Sequence, residues 1–258
     1  MNEDKILETI NSPEDVKKLF KRTIDTGIKH GTVTVLFYEN DKNFTYEVTT
    51  YRVDGAYSDG RHPDNVVFVD NLKEDLLRRD FTINAMAMDI DGNIYDYFNG
   101  REDLANKLLR TVGNAQKRYK EDALRMFRAC RFVAQLGFTY VEDNPPVGGF
   151  GMENTPYYLE RNYKFPVERV NGLSLERIRK ELDKMLVAPY ASKGLMLFMA
   201  TGLNNAKCRV KVNGQFEEIA ILPELSHLVG LKQNPRFHCY DTWEHTLFAI
   251  DNSPCEMI

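Results

Sequence analysis

The chain has 258 residues, 43% hydrophobic and 28% charged, which suits one large or two modest folded domains and excludes general disorder. Lys plus Arg number 34 against 38 for Asp plus Glu, a net charge of −4 that excludes a globally basic nucleic-acid coat but not a local basic groove. No stretch approaches the ~20 apolar residues that span a bilayer, the acidic start MNEDKILETI lacks an apolar signal core, and Cys130, Cys208, Cys239 and Cys255 are scattered, so a reducing cytoplasm is the expected location.

In chain order, Ser12-Pro13-Glu14-Asp15 opens a short helix through Phe20, with Ser12 as cap and Pro13 in the first turn. Residues 31–38 (GTVTVLFY) and 44–52 (FTYEVTTYR) are rich in β-branched and aromatic residues and read as two strands of a hairpin around a polar turn. A short strand at 66–69, a helix over 72–79 and a strand over 84–90, ended by Asp91-Gly92, complete a mixed α and β region. From Ala115 the pattern turns helical. Residues 115–138 carry Leu124, Phe127, Phe132 and Leu136 at helical spacing, closed by Gly137. Residues 139–172 read as a long irregular insert. Helices resume at 174–186 and 190–201, a hairpin turns at Asn213-Gly214, and a last helix begins near Asp241.

Two segments concentrate chemistry. Residues 75–87 (DLLRRDFTINAMA) place two guanidinium groups, a carboxylate and an amide at one helix-to-strand junction. Such groups suit phosphate oxygens and a ribose hydroxyl, although a solvated charged face would read the same way. In Glu121-Asp122-Ala123-Leu124-Arg125, Asp122 and Arg125 are three apart on the expected helix and so share a face. Arg128 and Arg131 follow in a strongly apolar stretch. Residues 104–138 hold eight Lys/Arg against Glu121 and Asp122 alone, which suggests an anionic ligand; the bland alternative is a local surface ion pair.

These segments carry a resemblance. With PEDVKKLF, TGIKHGTVTV, YEVTTYRVDG, DGRHP, YDYFNGREDL, RTVG, KRYKEDALRMFRACRFVAQLGF and ERIRKELDKML in that order, the chain resembles the bacterial class II CCA-adding tRNA nucleotidyltransferases. These belong to the polymerase-beta-like superfamily that also holds the bacterial poly(A) polymerases. The resemblance implies an α+β fold, with a small mixed-sheet head over 1–112, a helical neck over 113–205 and the start of an all-helical body or HD-like region over 206–258. It implies nucleotidyl transfer from CTP and ATP to the tRNA 3′ hydroxyl, with Mg²⁺ as the metal and pyrophosphate as the leaving group. Arg79, Asp80 and Asn84 would hold the nucleotide, Asp122 and Arg125 would read the base, and Arg128 and Arg131 would support it. Asp4 and Glu47 would be the catalytic carboxylates, Asp4 also as metal ligand.

The base reading has a physical basis. Cytosine and adenine each offer an exocyclic amine donor beside a ring-nitrogen acceptor. A carboxylate accepts from the first and a guanidinium donates to the second, whereas uracil and guanine present the reverse polarity.

The sequence also departs from the family. A GG-x-x-R-D segment and a D-x-D metal pair precede the PEDVKKLF helix in relatives. Here no glycine precedes Gly27, and the two metal positions fall on Asp4 and Ile6. Ile6 offers no oxygen to a hard cation, and the glycine-rich cradle would lie before Met1, so the expectation is an incomplete head and impaired catalysis. Leu222 to Leu247 resembles the opening of an HD-type phosphohydrolase with His245 at the first ligand position, but a lone His makes no metal site. Poly(A)-type or A-only addition and a non-catalytic nucleotide- or RNA-binding remnant stand as alternatives.

Overall fold

A computed structural model describes residues 12–39, 42–55, 65–142 and 164–253. The chain forms two compact units, residues 1–58 with 63–79 and residues 59–62 with 80–258.

In the first unit, helix α1 (Pro13–Leu19) starts as its sequence dictates: Ser12 is extended and its side chain accepts from the Asp15 N–H. Strands β1 (Thr23–Gly27), β2 (Thr32–Glu39) and β3 (Lys42–Thr49) form an antiparallel sheet in that order. The register pairs Val33 with Val48, Val35 with Tyr46 and Phe37 with Phe44. Val33 and Val35 pack with Val16, flanked by Phe20 and Val48, so α1 covers this face. Period-2 alternation turns Thr34 and Glu47 to the other face. That face is polar, and the Thr26 and Thr34 hydroxyls meet at 2.9 Å, as do those of Thr32 and Thr49.

The sequence reading missed β1, whose five residues TIDTG carry no apolar alternation. The strand expected to run on to Arg52 stops at Thr49. The chain restarts as β4 (Arg52–Asp54) because it changes partner, pairing with β5 (Val66–Phe68). Helix α2 (Leu72–Leu77), capped by Asn71, closes the unit.

The second unit opens with a 3₁₀ turn at Thr82–Asn84, so Asn84 precedes the strand expected there, and β6 is only Met86–Met88. It pairs with β7 (Ile94–Asp96) across a turn in which Gly92 adopts φ +83°. Helix α3 (Gly100–Ala105) leads to β8 (Leu108–Arg110), which pairs in parallel with β9 (Thr139–Val141). Between them run α4 (Ala115–Glu121) and α5 (Leu124–Leu136), the latter closed by Gly137 at φ +68°. Helices α6 (Leu175–Leu186) and α7 (Ala191–Ala200), the hairpin of β10 (Lys207–Val212) and β11 (Gln215–Ala220), and α8 (Thr242–Asp251) follow. The main core joins Phe81, Leu109, Tyr119, Phe127, Ile178 and Phe198. Phe81 and Leu109 belong to it, so the compact units part between Arg79 and Asp80, and the head boundary expected at 112 falls within the second unit.

Part of the insert expected at 139–172 is ordered as β9 and a 3₁₀ turn at Val167–Gly172; residues 143–163 lie outside the described residues. Among the described residues, no helix is long and apolar enough to cross a membrane.

Candidate nucleotide site

The second unit gathers three of the expected residues on one carboxylate. Asp80 is buried, and its Oδ1 accepts from the Phe81 N–H at 2.8 Å and from Asn84 Nδ2 at 3.2 Å. Its Oδ2 accepts from Arg128 Nε at 2.7 Å and Nη2 at 2.5 Å. Residues 48 positions apart thus meet in a forked, charge-assisted pair. The Arg128 guanidinium lies 5.4 Å from the centre of the Phe132 ring and that of Arg131 lies 4.1 Å from it. Phe132 in turn stacks edge-on with Phe81. Arg131 reaches α6, donating to Glu181 Oε2 at 2.5 Å and to Gln135 Oε1 at 2.9 Å.

The base-reading segment differs from its expected form. Helices α4 and α5 are separate: Asp122 caps the end of α4 in an extended conformation and its Oδ1 accepts from the Leu124 N–H. Asp122 and Arg125 therefore do not share the face of one continuous helix. At the break the Asp122 side chain takes the N–H of Leu124 two residues on, a local side-chain-to-backbone bond that competes with helix continuation, and Asp ahead of ALRMF was the available signal. Arg125 is buried. Its Nη1 donates to Glu121 Oε2 at 3.0 Å and to the Arg118 carbonyl at 3.2 Å.

Asp122 instead pairs with Arg177 of α6, Nη2 to Oδ2 at 3.6 Å. Sequence reasoning missed Arg177 as a site residue, although it stands in the ERIRKELDKML stretch. Burial raises the Asp122 carboxyl above its ordinary range, while the charge of Arg177, the Leu124 N–H and the charges of Arg125 and Arg128 oppose the rise. One carboxylate thus sits at a helix break in the field of three guanidinium groups.

Half of the positive excess over residues 104–138 is neutralised from outside that window, since Arg110 pairs with Asp103, Arg128 with Asp80 and Arg131 with Glu181.

In the first unit, Arg79 Nη2 stands 3.5 Å from Asp75 Oδ2, and Asp75 also receives Arg78 Nη2 at 2.7 Å and the Arg52 N–H at 3.3 Å. Glu47 is exposed in the middle of β3, opposite Thr34 on the polar face of the sheet. Asp4 and Ile6 lie outside the described residues. Among the described residues no three His, Cys, Asp or Glu gather as a metal site. His245 is exposed on α8, its ring 5.8 Å from that of His238.

Residues 3–110 match the family profile described as the poly A polymerase head domain, and residues 167–206 match the one described as a probable RNA and SrmB-binding site of polymerase A. The chain is 47% identical over 214 residues to the CCA-adding enzyme of Lactobacillus johnsonii, covering 83% of this chain and 48% of that protein. It is 46% identical over 192 residues to the CCA-adding enzyme of Geobacillus stearothermophilus, covering 74% and 43%. The structure of the Bacillus stearothermophilus CCA-adding enzyme in complex with CTP superposes with a TM-score of 0.57 at 39% identity, over 78% of this chain and 46% of that one. The chain thus spans about half the length of the curated relatives it matches. With that identity maintained over most of its own residues, the chain belongs to the bacterial family of CCA-adding nucleotidyltransferases.

Proposed function

We propose that the chain carries the nucleotide-selecting part of a tRNA nucleotidyltransferase that adds C and A to the tRNA 3′ end from CTP and ATP in the cytoplasm. The observation that carries this reading is the Asp122 carboxylate at the α4–α5 break, with Arg177, Arg125 and Arg128 acting on it. A carboxylate held there accepts from the exocyclic amine of cytosine or adenine, and a neighbouring guanidinium of Arg125 donates to the adjacent ring nitrogen. Uracil and guanine would oppose like groups and leave buried polar atoms unmatched, at a cost of roughly 1–3 kcal/mol. Asp80, whose two oxygens already accept from the Phe81 N–H, Asn84 and both Arg128 nitrogens, serves the nucleotide by holding Asn84 and Arg128 in place. Arg128 and Arg131, both resting on Phe132, supply cationic groups beside it, and Arg79 serves the phosphates.

Mg²⁺ would supply charge neutralisation at the triphosphate, with Asp4 as its expected ligand and Glu47 as the second catalytic carboxylate. Among the described residues Glu47 is a single carboxylate on a threonine-rich sheet face, and base selection rests on the protein's own side chains.

The test is calorimetric binding of CTP, ATP, UTP and GTP to the chain. The wild type is expected to prefer CTP and ATP. Asp122→Ala and Arg125→Ala are each expected to reduce that preference by about tenfold to a hundredfold. Preference ratios unchanged in both variants would overturn the reading.

A further inference from the structure

The β10–β11 hairpin presents a second chemistry. Along β10 the residues alternate: Cys208 is fully buried and Val210 packs against the core, so Lys207, Arg209 and Lys211 fall on the opposite, exposed face. The register sets Arg209 opposite Glu218 and Lys211 opposite Phe216, adding both to that outer face. Phe216 is 71% exposed. Glu218 takes a hydrogen bond from Asn171 Nδ2 at 2.8 Å. The face therefore carries three cations, one carboxylate and a bare aromatic ring, in a protein whose net charge is −4.

The hairpin's position relates it to the nucleotide site. Arg209 forms a parallel bridge with Ser174, the cap residue of α6. Arg177, the partner of Asp122, follows within about one helical turn, some 5 Å along the axis. The strand lies just beyond residues 167–206, the stretch that matches the RNA-binding profile.

We infer that the outer face of this hairpin docks the single-stranded 3′ segment of the RNA substrate, with a base stacked on Phe216 and the phosphates met by Lys207, Arg209 and Lys211. The inference rests on the reading of the chain as an RNA nucleotidyltransferase. An exposed ring flanked by cations on one sheet face matches an unstacked base between phosphates. A duplex withholds its bases and offers the ring nothing to stack on.

The test is fluorescence anisotropy of a labelled 12-nucleotide single-stranded RNA ending in CC, titrated with the whole chain over a range of salt. Phe216→Ala is expected to weaken binding about tenfold, and Phe216→Trp to retain it. Replacing Lys207, Arg209 and Lys211 together by Gln is expected to lower the salt slope by about two. Phe216 is exposed, so its loss leaves the fold intact, and CTP binding should be unchanged in every variant. Failure of CTP selection with RNA binding intact would count against the proposed function and not against the hairpin. RNA affinity within twofold of wild type in both Phe216→Ala and the triple variant would overturn the inference. So would a lack of RNA binding by the wild type, or duplex RNA binding as tightly and with the same dependence on Phe216.

Discussion

Asp122 shows how tertiary surroundings set the chemistry of one side chain. Its carboxyl is raised by burial, with Arg177 the largest opposing influence. The native state therefore keeps this proton to higher pH than the unfolded chain does. The group favours folding most at acid pH, and that contribution fades as pH rises from the ordinary value of 3.8 through the raised one. For function the direction is opposite, because protonation turns the acceptor into a donor. Preference for CTP over UTP is expected to decline on acidification at a pH above the ordinary carboxylate range. Asp122→Asn should abolish that pH dependence, and Arg177→Met should move it to still higher pH. A pH series of nucleotide affinities checks all three. At Asp80 the expected effect is on stability. Asp80→Ala leaves Arg128, whose side chain is 33% exposed, without its carboxylate. Full burial would make this loss larger, and partial exposure limits it to about 1–3 kcal/mol in urea unfolding.

At the scale of elements, the α5–α7 contact depends on the absence of a side chain. A Cβ built on Gly194 would stand 2.6 Å from the Cys130 carbonyl and 2.7 Å from Ala134 Cβ. These are backbone and near-backbone atoms that cannot swing away. Gly194→Ala is expected to destabilise the protein by about 1–3 kcal/mol despite the gain in helix propensity, read as a lower urea midpoint. A raised midpoint would show that the two helices are not held at this distance. The break between α4 and α5 is of the same kind. The apolar spacing over 115–138 supports one helix, yet the Asp122 side chain bonds the Leu124 N–H and the chain turns there. At that turn Asp122 meets Arg177 of α6 while the charge of Arg125 still acts on it.

At the scale of the whole molecule, the two compact units differ in the apolar material they bury. The first has Val16, Val33 and Val35 as its core cluster, whereas the second joins the helices around Phe127, Phe198 and Tyr119. The single tryptophan, Trp243, is buried in the second. In rising urea, backbone amides of β1–β3 should lose hydrogen-exchange protection before Trp243 fluorescence reports unfolding. Coincident transitions would show that the units unfold together.

Much was legible in the sequence because the signals were local. Ser12 and Asp241 announced helix starts, Gly137 a helix end, and Asn213-Gly214 a hairpin whose residues adopt φ 49° and φ 87°. The motif residues Asp80, Asn84 and Arg128 could be named from the resemblance their segments carry. Their meeting on one carboxylate could not, since it joins residues 48 positions apart. The partners of Arg131 and Asp122, Glu181 and Arg177, lie on α6, and no periodicity links that helix to the motif. Local sequence determines caps, turns and alternation through short-range sterics and hydrogen bonds. Which charge faces which is decided by packing, because burial obliges each buried guanidinium or carboxylate to find a partner wherever the fold brings one.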